Sequence, residues 1–111
     1  MKIAVIGSRT LEITESTLKE YLPPQATAIV SGGAKGIDTC AARYAENNGL
    51  ELIEIRPQYE KYGRTAPIVR NKLIVESADA VIIFWDEKSK GTKNVIDTCK
   101  KTGKEFFLIT L

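Results

Sequence analysis

The stretch "ATAIVSGGAKGIDTCAARYAENNGLELIEI" (residues 26–55) joins two apolar runs through a glycine-rich turn and a helical pattern. The runs at 26–31 and 50–55 have the length and the bounding turn residues of β-strands. Between them, residues 37–48 place an isoleucine, two alanines and a tyrosine on one helical stripe, and Asn48-Gly49 is typical of a helix end. The stretch therefore predicts two parallel strands joined by a crossover helix.

Strand and helix patterns alternate through the rest of the chain. Further strands are predicted at 2–7, 80–85 and 105–110, and further helices at 14–22, 67–78 and 92–103, the last with Thr92 as its N-cap and Gly103 as its C-cap. Five strands separated by four helices predict a three-layer α/β Rossmann-like domain over residues 1–111, with a five-stranded parallel sheet in the order 3-2-1-4-5. In that order the first two helices cover one face and the last two the other, so Cys40 and Cys99 would lie on opposite faces and form no disulfide.

Composition excludes several classes of protein. The 111 residues are 43% hydrophobic and 27% charged, typical of an ordinary globular domain, and the net charge of +2 does not favour a nucleic-acid surface. The chain has no histidine, and its two cysteines fit no ligand spacing, which argues against a metal site. No apolar stretch approaches the roughly 18 residues of a membrane span. We expect a cytoplasmic protein with reduced thiols and no membrane partner.

Glycines and charged residues concentrate in the loops that follow the strands. These loops are "GSRT" (7–10), "SGGAKG" (31–36), "RPQYEKYGRT" (56–65) and "DEKSKGT" (86–92), and they hold six of the eight glycines. Ligands of open α/β sheets bind at this edge, near the point where the strand order reverses. Two of the loops run into helix N-termini, whose free N–H groups and dipoles favour anions. The pattern favours a phosphate-bearing ligand.

The standard nucleotide-binding fingerprints are absent, and each candidate residue has a structural alternative. The order G-G-x-x-G differs from the dinucleotide motif G-x-G-x-x-G, and Lys35 is followed by Gly36 and Ile37 rather than by the Ser or Thr of a P-loop. The glycine turn could be structural, Arg70 could lie on a solvated helix face, and Asp38 could be only a favourable charge in a first helical turn. Otherwise Arg70 would suit bidentate recognition of a phosphate, and Asp38 or Asp86 would contact hydroxyls.

Taken together, these segments resemble a known family. The motifs "GSR", "SGGAKGID", "AARYAE", "PQYEKYG", "RNKLIVESAD" and "FWDEKSKGT" occur in an order and spacing similar to those of the YspA/YpsA-related branch of the SLOG superfamily. That superfamily is named for the DNA-processing proteins Smf/DprA and the LOG phosphoribohydrolases, and the resemblance spans nearly the entire chain.

The resemblance implies a Rossmann-like fold that binds a nucleotide or nucleotide-derived ligand at these loops. Such a domain could act as a sensor and need not be an enzyme. Phosphate would lie on the Gly32–Gly36 turn and the Gly91–Thr92 helix start. We expect no required cofactor, and Mg²⁺ only where a bound phosphate ligand brings it. Whether the chain forms a homo-oligomer is left open. By motif, the ligand-binding residues would be Gly7, Ser8, Arg9, Ser31, Gly32, Gly33, Ala34, Lys35, Gly36, Asp38, Arg70, Asn71, Gly91 and Thr92.

Two other activities of the superfamily remain as alternatives. LOG enzymes cleave the N-glycosidic bond of a nucleoside monophosphate with an arginine and a glutamate that follows a "PGGxGT" motif. Here the stretch is "EKSKGTKNVID", and Asn94-Val95 replace the glutamate. An oxocarbenium-like transition state needs a nearby carboxylate, so this departure weighs against the reaction. An enzyme of this kind would have to use Asp38, Asp86 or Asp97 as its carboxylate.

Proteins similar to DprA carry "SGxAxGID" and "RNRxI" and bind single-stranded DNA. Such binding requires a basic track with stacking aromatic side chains. The corresponding candidates here are Arg9, Arg64, Arg70, Tyr59 and Tyr62. With a near-neutral charge balance, nucleic acid is the less favoured partner.

Overall fold

A computed structural model describes residues 1–110 and confirms the predicted topology. The five strands form one parallel sheet in the order β3-β2-β1-β4-β5, and β1 lies at its centre. The strands are β1 (Lys2–Gly7), β2 (Ala28–Ser31), β3 (Glu51–Glu54), β4 (Ala80–Trp85) and β5 (Phe106–Thr110). The helices are α1 (Glu15–Tyr21), α2 (Ile37–Asn47), α3 (Tyr59–Tyr62), α4 (Ala66–Ser77) and α5 (Lys90–Thr102), with a 3₁₀ turn at Gly63–Thr65.

Strand β1 fixes the register of the sheet by pairing on both of its edges. Ile3 lies beside Ile29 of β2 and Ala80 of β4, and the β4 pairing continues to Gly7 beside Phe84. Both faces of β1 and β4 are buried, as near-continuous apolar runs require in a parallel sheet. The two strands therefore end at the same edge, where Gly7 and Trp85 lead into their loops.

Two separate clusters of apolar side chains attach the helices to the sheet. On one face α1 and α2 contribute Leu18, Ile37, Ala41 and Ala45, all fully buried. On the other face α4 and α5 bury their own apolar residues against the sheet; these are Ile74, Val75, Val95, Ile96 and Cys99. The prediction that the first two and last two predicted helices cover opposite faces is confirmed. Cys40 and Cys99 are both free thiols.

Two predictions about helices are wrong in detail. The last helix begins at Lys90 rather than Thr92, and Ser89 is its N-cap, because the Ser89 hydroxyl accepts a hydrogen bond from the Thr92 amide at 3.3 Å. Thr92 instead lies buried in the first turn. The loop after β3 also contains α3 and the 3₁₀ turn, which were not predicted. Gly103 adopts the left-handed conformation expected of a C-cap.

Among residues 1–110, no helix combines the length and apolar character that crossing a bilayer would require.

Candidate functional site

A cleft of about 530 Å³ lies at the carboxyl edge of the sheet. The loops after β1, β2 and β4 and the first turns of α4 and α5 line it. This position follows from the topology. The strand order reverses at β1, so the loops that leave the sheet there diverge and leave a space between them. Its polar groups include two arginines and two carboxylates, which come from segments far apart in the sequence.

Arg70 lies inside the cleft and is held by two hydrogen bonds. Its Nη1 donates to the Gly32 carbonyl at 2.9 Å and its Nε donates to Asn71 Oδ1 at 3.0 Å. The Asn71 amide in turn donates to Asn94 Oδ1 at 3.1 Å and to the Gly91 carbonyl at 3.4 Å. Asn71 is only 6% exposed, so it links the first turns of α4 and α5 rather than facing solvent.

Gly32 is the residue that allows this position of Arg70. A Cβ at residue 32 would lie 2.7 Å from Arg70 Nη1 and 3.1 Å from Asp38 Oδ2. Any side chain there would displace the guanidinium from the loop. A contact within the protein is therefore sufficient to favour glycine at this position.

Asp38 is a buried carboxylate on the first turn of α2. It is 5% exposed, and its Oδ2 accepts a hydrogen bond from the Ala34 amide at 3.1 Å. Burial raises the pKa of Asp38, while the Ala34 amide and the nearby Arg70 charge act in the opposite direction. Burial also lowers the pKa of Arg70, and the Asp38 charge opposes that effect. Each charge thus partly offsets the cost of burying the other, although among residues 1–110 no ion pair within 4 Å joins Asp38 and Arg70.

Asp86 organises the loop between β4 and α5. Its Oδ2 accepts from the Thr10 hydroxyl at 2.7 Å, and its Oδ1 accepts from the amides of Lys88 and Ser89, each at 2.8 Å. These hydrogen bonds, led by that of Thr10, hold the pKa of Asp86 well below its usual range. The carboxylate is therefore ionised and ties the loop after β1 to the loop before α5.

The amides of the glycine turn are largely occupied by the chain itself. The Gly33 amide donates to Ser31 Oγ at 3.2 Å, and the Ala34 amide donates to Asp38. At α5, Ser89 caps the Thr92 amide, whereas the amides of Lys90 and Gly91 belong to a first turn that offers them no intrahelical acceptor. The first turn of α2 likewise keeps amides without an acceptor, because its N-cap Gly36 supplies no side-chain hydrogen bond, so both helix termini have free amides.

Nine of the fourteen predicted binding residues line the cleft: Gly7, Arg9, Gly32, Ala34, Asp38, Arg70, Asn71, Gly91 and Thr92. Ser8 and Ser31 are buried behind it, where they support Asp86 and the glycine turn. Gly33 and Gly36 each line a different cavity next to the cleft. Lys35 is exposed and lines neither the cleft nor these two cavities.

The three carboxylates predicted as catalytic candidates separate into two groups. Asp38 and Asp86 line the cleft. Asp97 lies outside it, exposed on α5, where it accepts a hydrogen bond from Lys93 at 2.9 Å as an i,i+4 ion pair. Asn94, at the position of the expected glutamate, is held by Asn71.

Several residues of the cleft were not predicted. Thr10, Pro67, Lys88 and Ser89 line it. Thr10, Lys88 and Ser89 belong to loops that the sequence places at this edge, so they could have been predicted from their positions in the sequence. Asn94 does not line the cleft but accepts the hydrogen bond of Asn71 beside it. This role could not have been predicted, because it depends on the packing of α4 against α5.

No group of three or more His, Cys, Asp or Glu side chains converges as a metal site among the described residues.

The fold has structural counterparts among solved proteins. DNA processing protein A (DprA) from Streptococcus pneumoniae superposes with a TM-score of 0.74 at 24% identity, over 96% of this chain and 49% of that one. DNA processing protein A from Helicobacter pylori, whose structure describes a single-stranded DNA binding mode, superposes with a TM-score of 0.74 at 25% identity, over 97% of this chain and 64% of that one. The chain therefore spans between half and two thirds of the length of these proteins.

Sequence comparison points to the same superfamily. The Gene 61 protein of Mycobacterium phage D29 is 29% identical over 86 residues, which cover 72% of this chain and 69% of the phage protein. Residues 1–62, more than half of the chain and the part that contains β1, the glycine turn and β3, match the family model described as YspA, cpYpsA-related SLOG. With the sheet order and the two DprA structures in agreement, the chain belongs to the YspA, cpYpsA-related SLOG family.

Proposed function

We propose that the chain binds a nucleotide or a nucleotide-derived phosphate ligand in the cleft at the carboxyl edge of the sheet. The observation that carries the proposal is the convergence of Arg9, Arg70 and the first turn of α5 on one cleft of about 530 Å³. That volume lies within the range of roughly 300–1,000 Å³ that is usual for small-molecule sites. Guanidinium groups and helix N-termini are the groups best suited to a phosphate.

The charges in the cleft favour a phosphate at the α5 end. Asp38 and its partner Arg70 lie together, so a second anion beside Asp38 would meet repulsion. Lys88 and the start of α5 line the opposite side, where the Asp86 carboxylate already accepts three hydrogen bonds, from Thr10, Lys88 and Ser89. We infer that the phosphate binds between Arg9 and Gly91, and that the sugar hydroxyls face the carboxylates.

Arg9 offers the sharpest test of this site. It is exposed and forms no hydrogen bond within the described residues, whereas Arg70 also holds Gly32 and balances Asp38. Arg9→Ala therefore removes a ligand contact without removing an internal one. We expect AMP, ADP-ribose or NAD to raise the melting temperature of the wild type, and Arg9→Ala to weaken binding by roughly 10-fold or more, as loss of a charged hydrogen bond does.

Arg43→Ala is the matched control, because Arg43 is exposed on α2 and lies outside the cleft. Isothermal titration calorimetry on the three proteins measures the affinities. The absence of any response to all of these nucleotides in the wild type would rule out the proposal. Equal weakening by both substitutions would show a general charge effect rather than a site.

Hydrolysis of an N-glycosidic bond is a second candidate, favoured by the presence of two carboxylates in the cleft. Asp38, whose pKa is raised by burial, has the environment of a general acid, and ionised Asp86 has that of a charge stabiliser. Release of adenine from AMP, followed chromatographically, tests this. Activity that Asp38→Asn abolishes and Asp97→Asn leaves intact would support it.

Binding of single-stranded nucleic acid is a third candidate, favoured by the likeness to the Helicobacter pylori protein. An affinity for an oligonucleotide that falls steeply with salt would support it. Affinity for mononucleotides alone would count against it.

A further inference from the structure

A second cavity of about 310 Å³ adjoins the cleft. The two share Arg9, Gly32, Ala34, Pro67 and Arg70 in their linings. They are therefore two halves of one groove, and Arg9 and Arg70 lie at the boundary between them. The second half is formed by the loop between β3 and α4, which the first half does not use.

The two halves differ in charge. Arg56 joins Arg9 and Arg70 in the lining of the second cavity, and none of its nine lining residues is acidic. The first cavity, in contrast, contains both Asp38 and Asp86. The part of a ligand that lies in the second half thus meets three guanidinium groups and no carboxylate of the lining.

Arg56 is positioned by contacts on two sides. Its Nη2 donates to Glu54 Oε2 at 3.1 Å, while 68% of the side chain remains exposed, so other donors are free. On the other side it lies against Gly33, where an added Cβ would be 3.1 Å from Arg56 Cζ. Gly33 also has a φ of +72°, so the turn and the close approach of Arg56 both favour glycine.

A flat apolar wall completes the second cavity. Tyr59, at the start of α3, is 58% exposed, and Pro57 and Pro67 lie in the same lining. An exposed tyrosine next to a cationic groove is the arrangement on which a nucleobase stacks. Of the exposed aromatic residues Tyr21, Tyr59 and Phe107, Tyr59 alone lines the groove within residues 1–110.

We propose that the second cavity is a subsite for a second nucleoside, so that the ligand is a dinucleotide joined through phosphate. The inference rests on the proposed function and adds the ligand's class to it. One nucleoside lies in the cleft, the connecting phosphate contacts Arg9, which lines both cavities, and the second base stacks on Tyr59. In the described part of the chain, Tyr59 is the one aromatic residue in the lining of the two cavities, which favours one stacked base over several.

The experiment compares four probes by isothermal titration calorimetry: AMP, diadenosine diphosphate, adenylyl-(3′→5′)-adenosine and hexathymidylate. We expect at least one of the two dinucleotides to bind more tightly than AMP by about 5-fold or more, the lower range for one stacked base. The better of the two identifies the phosphate linkage. Tyr59→Ala should remove this advantage and leave the affinity for AMP unchanged, whereas Tyr59→Phe should retain the advantage.

Arg56→Ala should likewise reduce dinucleotide affinity alone, with exposed Arg64→Ala as its matched control outside both cavities. The subsite is overturned if dinucleotides bind no more tightly than AMP, if Tyr59→Ala weakens AMP equally, or if hexathymidylate binds most tightly of all. Binding of AMP with no dinucleotide advantage would overturn the subsite and preserve the proposed function. Failure of every probe to bind would overturn both.

Discussion

Gly7 shows how closely the loop after β1 packs against α2. A Cβ at this position would overlap the side chain of Ile37, which is fully buried. Gly7→Ala therefore overpacks the core at the point where the cleft begins, and we expect it to lower the free energy of unfolding by about 1–3 kcal/mol. Urea unfolding measures the loss.

Gly91→Ala provides the control for Gly7. Gly91 also lines the cleft, but a Cβ there would meet nothing within 4 Å. Alanine in the first turn of a helix should leave stability unchanged or raise it slightly. Equal destabilisation by both substitutions would contradict the packing argument.

The titration of Asp38 should be visible in the stability of the protein. Burial raises the pKa of its carboxyl above the ordinary value of 3.8. A group with a raised pKa in the folded state stabilises the fold fully below its unfolded pKa, and that contribution is lost as the pH rises through the folded pKa. The free energy of unfolding of the wild type, relative to that of Asp38→Asn, should therefore fall as the pH rises from 3.8 toward neutrality.

Urea unfolding of both proteins at a series of pH values measures this difference. Glu46→Gln, which removes an exposed carboxylate of the same helix, serves as the control. A difference between wild type and Asp38→Asn that rises with pH would mean that Arg70 and the Ala34 amide outweigh the cost of burial.

At the scale of the element, the N-terminus of α5 depends on a single side chain. Ser89 Oγ caps the Thr92 amide, whereas the Ser89 carbonyl accepts from Trp85 Nε1 and from the Lys93 amide. Ser89→Ala removes the cap and keeps both carbonyl contacts. We expect a loss of about 0.5–2 kcal/mol in the free energy of unfolding.

Thermal or urea unfolding again supplies the measurement, with Ser16→Ala as the control. Ser16 is exposed within α1 and caps no helix. An unchanged stability in Ser89→Ala would contradict the stabilising role of this cap. The cap matters for the site, because it decides which amides of α5 stay free for a ligand.

At the scale of the whole molecule, the two thiols report on the two faces of the sheet. Cys99 is fully buried in the cluster under α4 and α5, whereas Cys40 is partly exposed on α2. Burial raises the pKa of both thiols, so alkylation should be slow and should accelerate as the pH rises. Mass spectrometry should find one label, on Cys40, in the folded protein and two after unfolding in urea.

The same experiment under oxidising conditions tests the topology. Thiols on opposite faces cannot form an intramolecular disulfide without unfolding. An internally crosslinked monomer, or two labels in the folded state, would contradict the arrangement of the helices.

Helix α4 shows which features the sequence could predict and which it could not. Its limits and its proline in the first turn were predictable, but its orientation was not. Ile68 and Leu73 are 56% and 41% exposed, whereas Asn71 is buried and Arg70 is turned into the cleft. Hydrophobic pattern alone would have placed the apolar residues inside and Arg70 outside.

The sequence by itself determined the order of strands and helices along the chain and the edge at which the loops converge. Local periodicity and the right-handed crossover are sufficient for these features, since both act over one element or one connection. The predicted order of strands in the sheet rests on the order that is usual for such domains, and the structure confirms it. Only the tertiary structure decided the partners of Arg70, Asn71 and Asp86. Those hydrogen bonds join residues 38, 23 and 76 positions apart, so they depend on how separate elements pack and not on any local pattern.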